Sequence, residues 1–268
     1  MRLNVDHRTV YQYSSPVMRS IQILRLIPRS DFRQKILEWN LTIPGSSTEH
    51  IDAYGNITRL LTIERHHDEI CIGVQGVIDT EDQPVIPPAE DIRFDPKIFL
   101  RETPLTALEP NVFQFAEPFK NRILRDPLPG LQDLMRAIRS AVEYVKGSTS
   151  VQTTASEALE QGSGVCQDHS HLFISCCRAL KIPARYVSGY LYQGSAATPE
   201  VAMHAWTEAW IDKTGWVSFD ISNGRHAGET HIRLATGRDY LDASPVRGIR
   251  LGGGNEMMKV SVEITHDQ

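Results

Sequence analysis

Three residues at separate points of the sequence carry side chains that together could perform nucleophilic catalysis. Cys166 ends the run Gly-Ser-Gly-Val-Cys, His204 begins His-Ala-Trp-Thr-Glu-Ala-Trp, and Asp220 ends Trp-Val-Ser-Phe-Asp. A thiol can attack a carbonyl carbon, an imidazole can move the proton, and a carboxylate can orient the imidazole. The order and spacing of these residues predict a Cys-His-Asp triad for acyl transfer.

The residues around Cys166 favour a reactive thiol. Gly162 and Gly164 permit backbone angles closed to other residues, so the chain can turn tightly into a helix that begins near Cys166. The unpaired N–H groups and positive dipole end of a helix start favour thiolate over thiol. They can also stabilise an oxyanion, with the Cys166 amide as the expected donor and Gln167 as a further candidate at the cleft.

A geometric condition links His204 to Asp220, because the two lie on neighbouring predicted strands. A two-residue hairpin at Lys213 and Thr214 would pair position 207 with position 220 and place the two side chains on opposite faces. A three-residue loop would pair position 206 with 220 and make them diagonal neighbours within reach of each other. A histidine–carboxylate pair therefore requires a loop of odd length or a bulge between these strands.

The residues that follow position 126 indicate helices first and strands afterwards. Apolar residues recur at helical spacing from Leu131 to Val145, a short helix is expected near 156–160, and a third begins at Cys166. Strands are expected at 184–192, 203–211, 216–221 and 259–265. This half is therefore predicted to be α+β, with helices packed on an antiparallel sheet.

The first part of the chain is predicted to be all-β. Alternating and β-branched runs separated by Pro-Gly and Tyr-Gly-Asn turns indicate a β-sandwich over residues 1–100. The stretch from Thr80 to Pro110 is rich in Pro and acidic residues and indicates a way out of the β domain. The linker is assigned to 101–125, and the catalytic core is expected at 126–268.

Composition excludes several classes of function. The 268 residues carry a formal net charge of -5, which gives no electrostatic basis for binding nucleic acid, and the apolar runs are too short to span a membrane. The N-terminal residues lack the apolar stretch of a signal peptide, so a cytoplasmic location is expected. The four cysteines of so long a chain are expected to be reduced thiols. Oligomeric state stays open.

Other residues allow alternative interpretations. His169 and His171 could be grouped with Cys166, Cys176 and Cys177 as metal ligands, but this spacing fits no common zinc pattern and no metal site is predicted. Trp206 shares the strand face of His204 and either forms a wall of the substrate cleft or packs in the core.

The motifs also resemble a known family. The segments around Cys166, His204 and Asp220 are similar to the bacterial transglutaminase-like superfamily, whose members are regarded as cysteine proteases. Further similar segments are spread along nearly the whole chain, at residues 11–13, 24–29, 52–56, 180–190, 236–242 and 245–248. The resemblance implies a papain-like core after an N-terminal β domain, the triad named above, and a cleft lined by Asp239 and Tyr240.

One departure from the family pattern concerns crosslinking. Animal transglutaminases typically carry Trp after the catalytic Cys, whereas this chain has Gln167, and it lacks the acidic clusters expected for their calcium sites. Calcium-dependent protein crosslinking is therefore not expected, while acyl chemistry at the thiol is.

The predicted activity is cysteine-dependent acyl transfer on peptide or carboxamide substrates through a thioester, most simply as a protease or amidohydrolase without metal or organic cofactor. One alternative is a protein-glutamine transamidase, and another is a non-catalytic binding module on the same fold. A cell-wall peptide hydrolase is a third alternative, which the expected absence of an export signal disfavours. Substrate specificity is expected in the loops at 193–201 and 224–232.

Overall fold

The computed structural model describes residues 1–88, 95–194 and 203–266. Its strands are β1 Arg2–Ile27, β2 Gln34–Thr42, β3 Ser46–Ile51, β4 Ile57–Ile63, β5 His67–Thr80, β6 Val85–Ile86, β7 Glu143–Tyr144, β8 Ser163–Gly164, β9 Ala184–Leu191, β10 Met203–Ile211, β11 Gly215–Phe219, β12 His231–Gly237, β13 Val246–Gly252 and β14 Glu256–His266. Its α-helices are α1 Pro110–Ala116, α2 Lys120–Arg125, α3 Pro127–Ala141, α4 Ala155–Gln161, α5 Cys166–Ala179 and α6 Tyr240–Ala243. None of the helices in these ranges is both long and apolar enough to cross a lipid bilayer.

The N-terminal strands surround β1, which is 26 residues long and takes part in two sets of pairings. Its first half pairs with β5 and β14, and its second half pairs with β4 and β13. Buried side chains lie at odd positions from Leu3 to Tyr13 and at even positions from Ser20 to Leu26, because the register shifts between Val17 and Arg19. The strands β1 to β5, together with β13 and β14, form one sheet joined through β1. The predicted sandwich of two sheets therefore stays a prediction.

The last two strands belong to this N-terminal sheet. β13 and β14 pair with β1, whereas the sequence-based domain boundary at 126–268 assigned the final strand to the core. That assignment was wrong because an alternating pattern identifies a strand without identifying its partner. The N-terminal unit of the structure therefore contains strands from both ends of the chain.

The core is a five-stranded antiparallel sheet in the order β12-β9-β10-β11-β6 with helices packed on it. Helix α5 contacts β9 and β10, and α1, α3 and α4 pack around α5. This arrangement confirms the predicted α+β class. The N-terminal sheet shares a hydrophobic cluster with the core sheet, to which β9 and β12 contribute Tyr190, Ile232 and Leu234.

Residues 101–125 are not the predicted linker. Helices α1 and α2 bury Val112, Ala116 and Ile123 in the same hydrophobic cluster as α3 and α5. Prolines of the stretch that suggested a linker stand at helix starts, where a missing N–H is harmless: Pro104 opens a short 3-10 helix and Pro110 opens α1. The same residue type therefore begins helices here instead of preventing them.

A buried arginine of the core forms hydrogen bonds with the segment before α1. Arg178 of α5 donates to the carbonyl oxygens of Phe99 and Arg238 at 2.8 and 2.7 Å, and to Thr106 Oγ1 at 2.5 Å. Burial lowers the pKa of Arg178 to about 10, which leaves the guanidinium charged at neutral pH.

A second buried charge, Glu208 on β10, joins the core to the N-terminal sheet. Its carboxylate lies 2.7 Å from Arg33 Nη2, 2.6 Å from Arg185 Nη2 and 4.0 Å from Arg233 Nη1. Burial alone would raise the pKa of Glu208, but the three arginines hold it well below its usual range. The contribution to stability is therefore present at neutral pH and is lost as the pH falls through that lowered pKa.

Replacing this carboxylate tests its importance for the fold. Glu208→Gln is expected to lower the free energy of unfolding by about 3–5 kcal/mol, because it removes the buried negative charge that Arg33, Arg185 and Arg233 share. Chemical denaturation at neutral pH measures the change. The control is Glu49→Gln, which breaks an ion pair with Arg59 at the surface and should change stability by less than about 1 kcal/mol. Equal effects of the two substitutions would contradict the expectation.

Candidate active site

Helix α5 begins at Cys166, and a buried carboxylate holds this helix start in place. Asp168 Oδ2 accepts hydrogen bonds from the Val165 N–H at 2.7 Å and from Thr149 Oγ1 at 2.6 Å. The two glycines before Cys166 have different roles. Gly162 ends α4 with a φ of +68°, whereas a Cβ at Gly164 would lie 2.7 Å from the Cβ of Asp168.

Cys166 is the accessible thiol of the core. It is partly exposed, whereas Cys176 and Cys177 on the same helix are completely buried. Burial raises the pKa of both inner thiols and keeps them protonated. Of the cysteines on α5, Cys166 alone can meet a substrate.

The strand register satisfies the condition for a histidine–carboxylate pair. β10 and β11 pair Thr207 with Phe219 and Ile211 with Gly215, which leaves a three-residue loop at 212–214. The predicted odd-length loop is confirmed, and Lys213 takes a φ of +65° within it. Continuation of this register sets Trp206 opposite Asp220 and makes His204 a diagonal neighbour of the carboxylate.

His204 lies between the thiol and the carboxylate. Its Nε2 is 3.0 Å from Asp220 Oδ1, and its ring borders the same cavities as the Cys166 thiol, which helps to raise the pKa of the imidazole. Since Nε2 faces the carboxylate, Nδ1 is the ring nitrogen left for the sulfur. Burial lowers the pKa of His204, but the interactions with Asp220 and Cys166 overcome this effect and raise the pKa to about 10.

Asp220 is completely buried and accepts hydrogen bonds from both sides. A second histidine, His231 of β12, places Nε2 3.0 Å from Asp220 Oδ2. Asn223 donates its side-chain N–H to Oδ2 at 2.7 Å and its backbone N–H to Oδ1 at 3.3 Å. Burial alone would raise the pKa of Asp220, but the two imidazoles keep it far below its usual range.

His231 is the functional candidate that sequence reasoning missed. The backbone N–H of Gly228 donates to its Nδ1 at 3.3 Å, so Nε2 carries the proton that Asp220 accepts. Burial lowers the pKa of His231, so this ring is neutral while His204 is protonated. The sequence carries no local signal for the role, because His231 lies in a loop assigned to specificity and reaches Asp220 only through the pairing of β12 with β9.

The effect of the second histidine can be measured directly. His231→Phe is expected to lower kcat by about tenfold and stability by about 1–3 kcal/mol, because one buried carboxylate oxygen loses its imidazole donor. His231→Gln can still donate to Asp220 and should recover most of the loss in kcat. Steady-state kinetics and thermal unfolding of both variants test the expectation. A kcat unchanged by Phe would exclude a positioning role.

His204 and His231 lie close enough to Asp220 to be considered as metal ligands. Among the described residues, His204, Asp220 and His231 bring possible ligand atoms within 4.8 Å of one another. Each imidazole faces its own carboxylate oxygen, so hydrogen bonds already use this donor set. Of the residues weighed as zinc ligands, His169 uses Nε2 on the Val142 carbonyl oxygen at 2.8 Å, and His171 accepts from the Tyr240 N–H at 3.1 Å.

The remaining predicted residues divide into two groups. Gln167 and Tyr240 line the cavity beside Cys166, and their role in a substrate cleft stays a prediction. Trp206 is 1% exposed and stacks behind His204 at a ring distance of 6.2 Å, so it packs in the core. Asp239 is buried and caps α6 by accepting from the Leu241 and Asp242 N–H groups, and it lines neither of the two cavities beside Cys166.

Cavities lie on both sides of the Cys166–His204 pair. One, of about 340 Å³, extends towards the N-terminal sheet. The other, of about 570 Å³, is lined by Tyr144, Lys146 and Asn223. Of the loop at 193–201, only residues 193 and 194 are described, and Gln193 borders the second cavity. The remainder of that specificity prediction lies outside the described residues.

Comparisons with known proteins match the N-terminal part of the chain and the core separately. The profile of the transglutaminase-like superfamily matches residues 117–221, a range that contains Cys166, His204 and Asp220. The profile of the bacterial transglutaminase-like N-terminal region matches residues 3–79. The uncharacterised protein ML0607 of Mycobacterium leprae is 34% identical over 282 residues, covering 98% of this chain and 98% of that protein.

Two further relatives are informative. A candidate cysteine protease from Cytophaga hutchinsonii has a crystal structure that matches with a TM-score of 0.76 at 25% identity, covering 99% of this chain and 90% of that one. A protein-glutamine gamma-glutamyltransferase of Pseudomonas aeruginosa is 31% identical over 103 residues, covering 34% of this chain and 15% of that protein.

Proposed function

This chain belongs to the transglutaminase-like superfamily, and on that basis we propose that it is a cysteine-dependent acyl-transfer enzyme acting on peptide or carboxamide substrates. The observation that carries the proposal is a partly exposed thiol that shares a cavity with a carboxylate-bound imidazole: Cys166, His204 and Asp220. The likeness to a candidate cysteine protease over nearly the whole chain supports the same class.

In the proposed first half-reaction, the Cys166 thiolate attacks the carbonyl carbon of the substrate and a C–S bond forms. The oxyanion accepts a hydrogen bond from the Cys166 amide, since the first N–H groups of a helix have no acceptor within it. The C–N bond then breaks, and His204 Nδ1 delivers its proton to the departing amine or ammonia. The product is a thioester on Cys166.

In the second half-reaction, neutral His204 removes a proton from water as the oxygen attacks the thioester carbonyl. The C–S bond breaks, the acid departs, and the thiolate–imidazolium pair is restored. Asp220 stays ionised throughout and keeps the imidazole oriented, with His231 and Asn223 holding the carboxylate. We therefore assign His204 the roles of acid and base and the other three residues that of positioning.

Transamidation is the second candidate, in which an amine replaces water at the thioester. The similarity to a protein-glutamine gamma-glutamyltransferase over 103 residues supports transamidation as a candidate. A non-catalytic binding module is less consistent with the site, because binding alone does not require a buried carboxylate that holds two histidines behind an accessible thiol.

Mass spectrometry of the intact protein tests the proposal. The purified chain is mixed with glutamine-containing and isopeptide-containing donors, quenched in acid, and searched for the donor acyl mass on Cys166. Ammonia or amine release without added nucleophile identifies hydrolysis, and incorporation of an added primary amine identifies transamidation. Failure of every donor class to form a Cys166 adduct or release product would overturn the proposal.

A further inference from the structure

The cavity between the core and the N-terminal sheet has a far wall built from both ends of the chain. Strands β1 and β14 pair antiparallel there, and their cavity-lining side chains come in successive pairs. The pairs are Tyr11 with Met258, Thr9 with Val260, and His7 with Val262. Cys166 and His204 border the same cavity, so a substrate bound at the thiol faces this wall.

The polar side-chain atoms of His7 and Thr9 on the far wall are already hydrogen-bonded, which leaves the protonated Tyr11 hydroxyl as the further polar group of this wall. His7 Nδ1 lies 2.8 Å from the Tyr190 hydroxyl, and His7 Nε2 lies 2.8 Å from Thr9 Oγ1. Burial lowers the pKa of His7 to about 4, so the ring is neutral at physiological pH. The wall is therefore uncharged and mainly apolar, and a bound charge would lose its hydration there without gaining a charged partner.

The side of the cavity nearer the thiol is also uncharged apart from His204. Tyr186 and Tyr240 line it, and burial raises the pKa of both phenols so that they stay protonated. No Asp, Glu, Lys or Arg of the described residues lines this cavity, whereas Lys146 borders the cavity on the Asn223 side. The two sides of the thiol thus differ in charge and polarity.

We propose that the cavity between β1, β14 and Cys166 binds an uncharged apolar group of the acyl donor. This inference rests on the proposed acyl-transfer function and adds the chemical class of the substrate. At about 340 Å³ the cavity lies within the range of small-molecule sites and admits an aliphatic or aromatic side group. The N-terminal sheet and the returning strand β14 thereby determine specificity.

A series of thiol reagents tests the cavity without knowledge of the natural substrate. Second-order rate constants for modification of Cys166 are measured by peptide mapping with N-methylmaleimide, N-hexylmaleimide and 6-maleimidohexanoate, each divided by the rate with glutathione. The hexyl reagent is expected to react about tenfold or more faster than the methyl reagent, because several methylene groups become buried. The carboxylate reagent should lose this advantage.

Two substitutions on β14 provide a matched comparison. Val260→Phe fills the cavity and should reduce the hexyl-to-methyl ratio to below about twofold. Ser261→Phe adds the same side chain at the adjacent, exposed position and should retain the ratio of the unmodified protein.

The outcomes separate this inference from the proposed function. A hexyl-to-methyl ratio near one in the unmodified protein, or equal rates for the hexyl and carboxylate reagents, would overturn the apolar site even if donors still acylate Cys166. Because these ratios are measured on the unmodified protein, a variant that fails to fold does not affect the decision. Absence of any Cys166 acyl adduct with carboxamide donors would instead count against the proposed function.

Discussion

Cys166→Ala is expected to abolish acyl transfer, with kcat reduced by at least about 10⁴-fold, because the variant lacks the thiol that forms the thioester beside His204. The measurement is product release and acyl-adduct formation in the mass-spectrometric assay. Iodoacetamide at neutral pH should also lose its rapid modification of the core, since Cys176 and Cys177 are completely buried and their pKa values are raised.

The matched control is Cys71→Ala. Cys71 is a partly buried thiol on β5 of the N-terminal sheet, where its sulfur lies 3.3 Å from Arg8 Nε. Its replacement should leave turnover within about twofold of the unmodified protein. Equal turnover by the Cys166→Ala variant and the unmodified protein would show that the thiol is not the nucleophile.

Asp220→Asn is expected to reduce kcat/KM by about 10²–10⁴-fold. Asparagine preserves the shape, but one carboxylate oxygen becomes an N–H₂ group that meets an imidazole N–H of His204 or His231. One histidine must then turn away or change its tautomer. Asp68→Asn, an exposed position in the N-terminal sheet, is the control and should change kcat/KM by less than twofold.

The pH profile distinguishes an electrostatic role of Asp220 from a merely structural one. With a His204 pKa of about 10, kcat/KM of the unmodified protein should hold through neutral pH and fall as the pH approaches 10. The stability contributed by this raised pKa is complete below pH about 6.5 and is lost as the pH rises through about 10.

Without the carboxylate, the pKa of His204 should move back towards its ordinary value of about 6.5. The alkaline limb of the kcat/KM profile should therefore shift to lower pH in Asp220→Asn. A variant that is less active but has an unshifted limb would mean that Asp220 acts only on the fold around the site.

Most of the local structure of the candidate site could be predicted from the sequence. The glycine turn and the apolar periodicity predicted a helix that begins at Cys166, and the alternation on β10 placed His204 and Trp206 on one face. The register argument also required a loop of odd length or a bulge, and the structure has a three-residue loop. These features depend on neighbours a few residues apart, so spacing alone determines them.

Only the tertiary structure decided which distant segments meet. His231 reaches Asp220 because β12 pairs with β9, and β14 pairs with β1 although the sequence placed it in the core. Likewise, Trp206 and Asp239 proved to be a packing residue and a helix cap. The alternation of apolar residues along a strand shows which face is buried, but it does not show which other surface packs on that face. The reason is that burial of apolar area is non-directional.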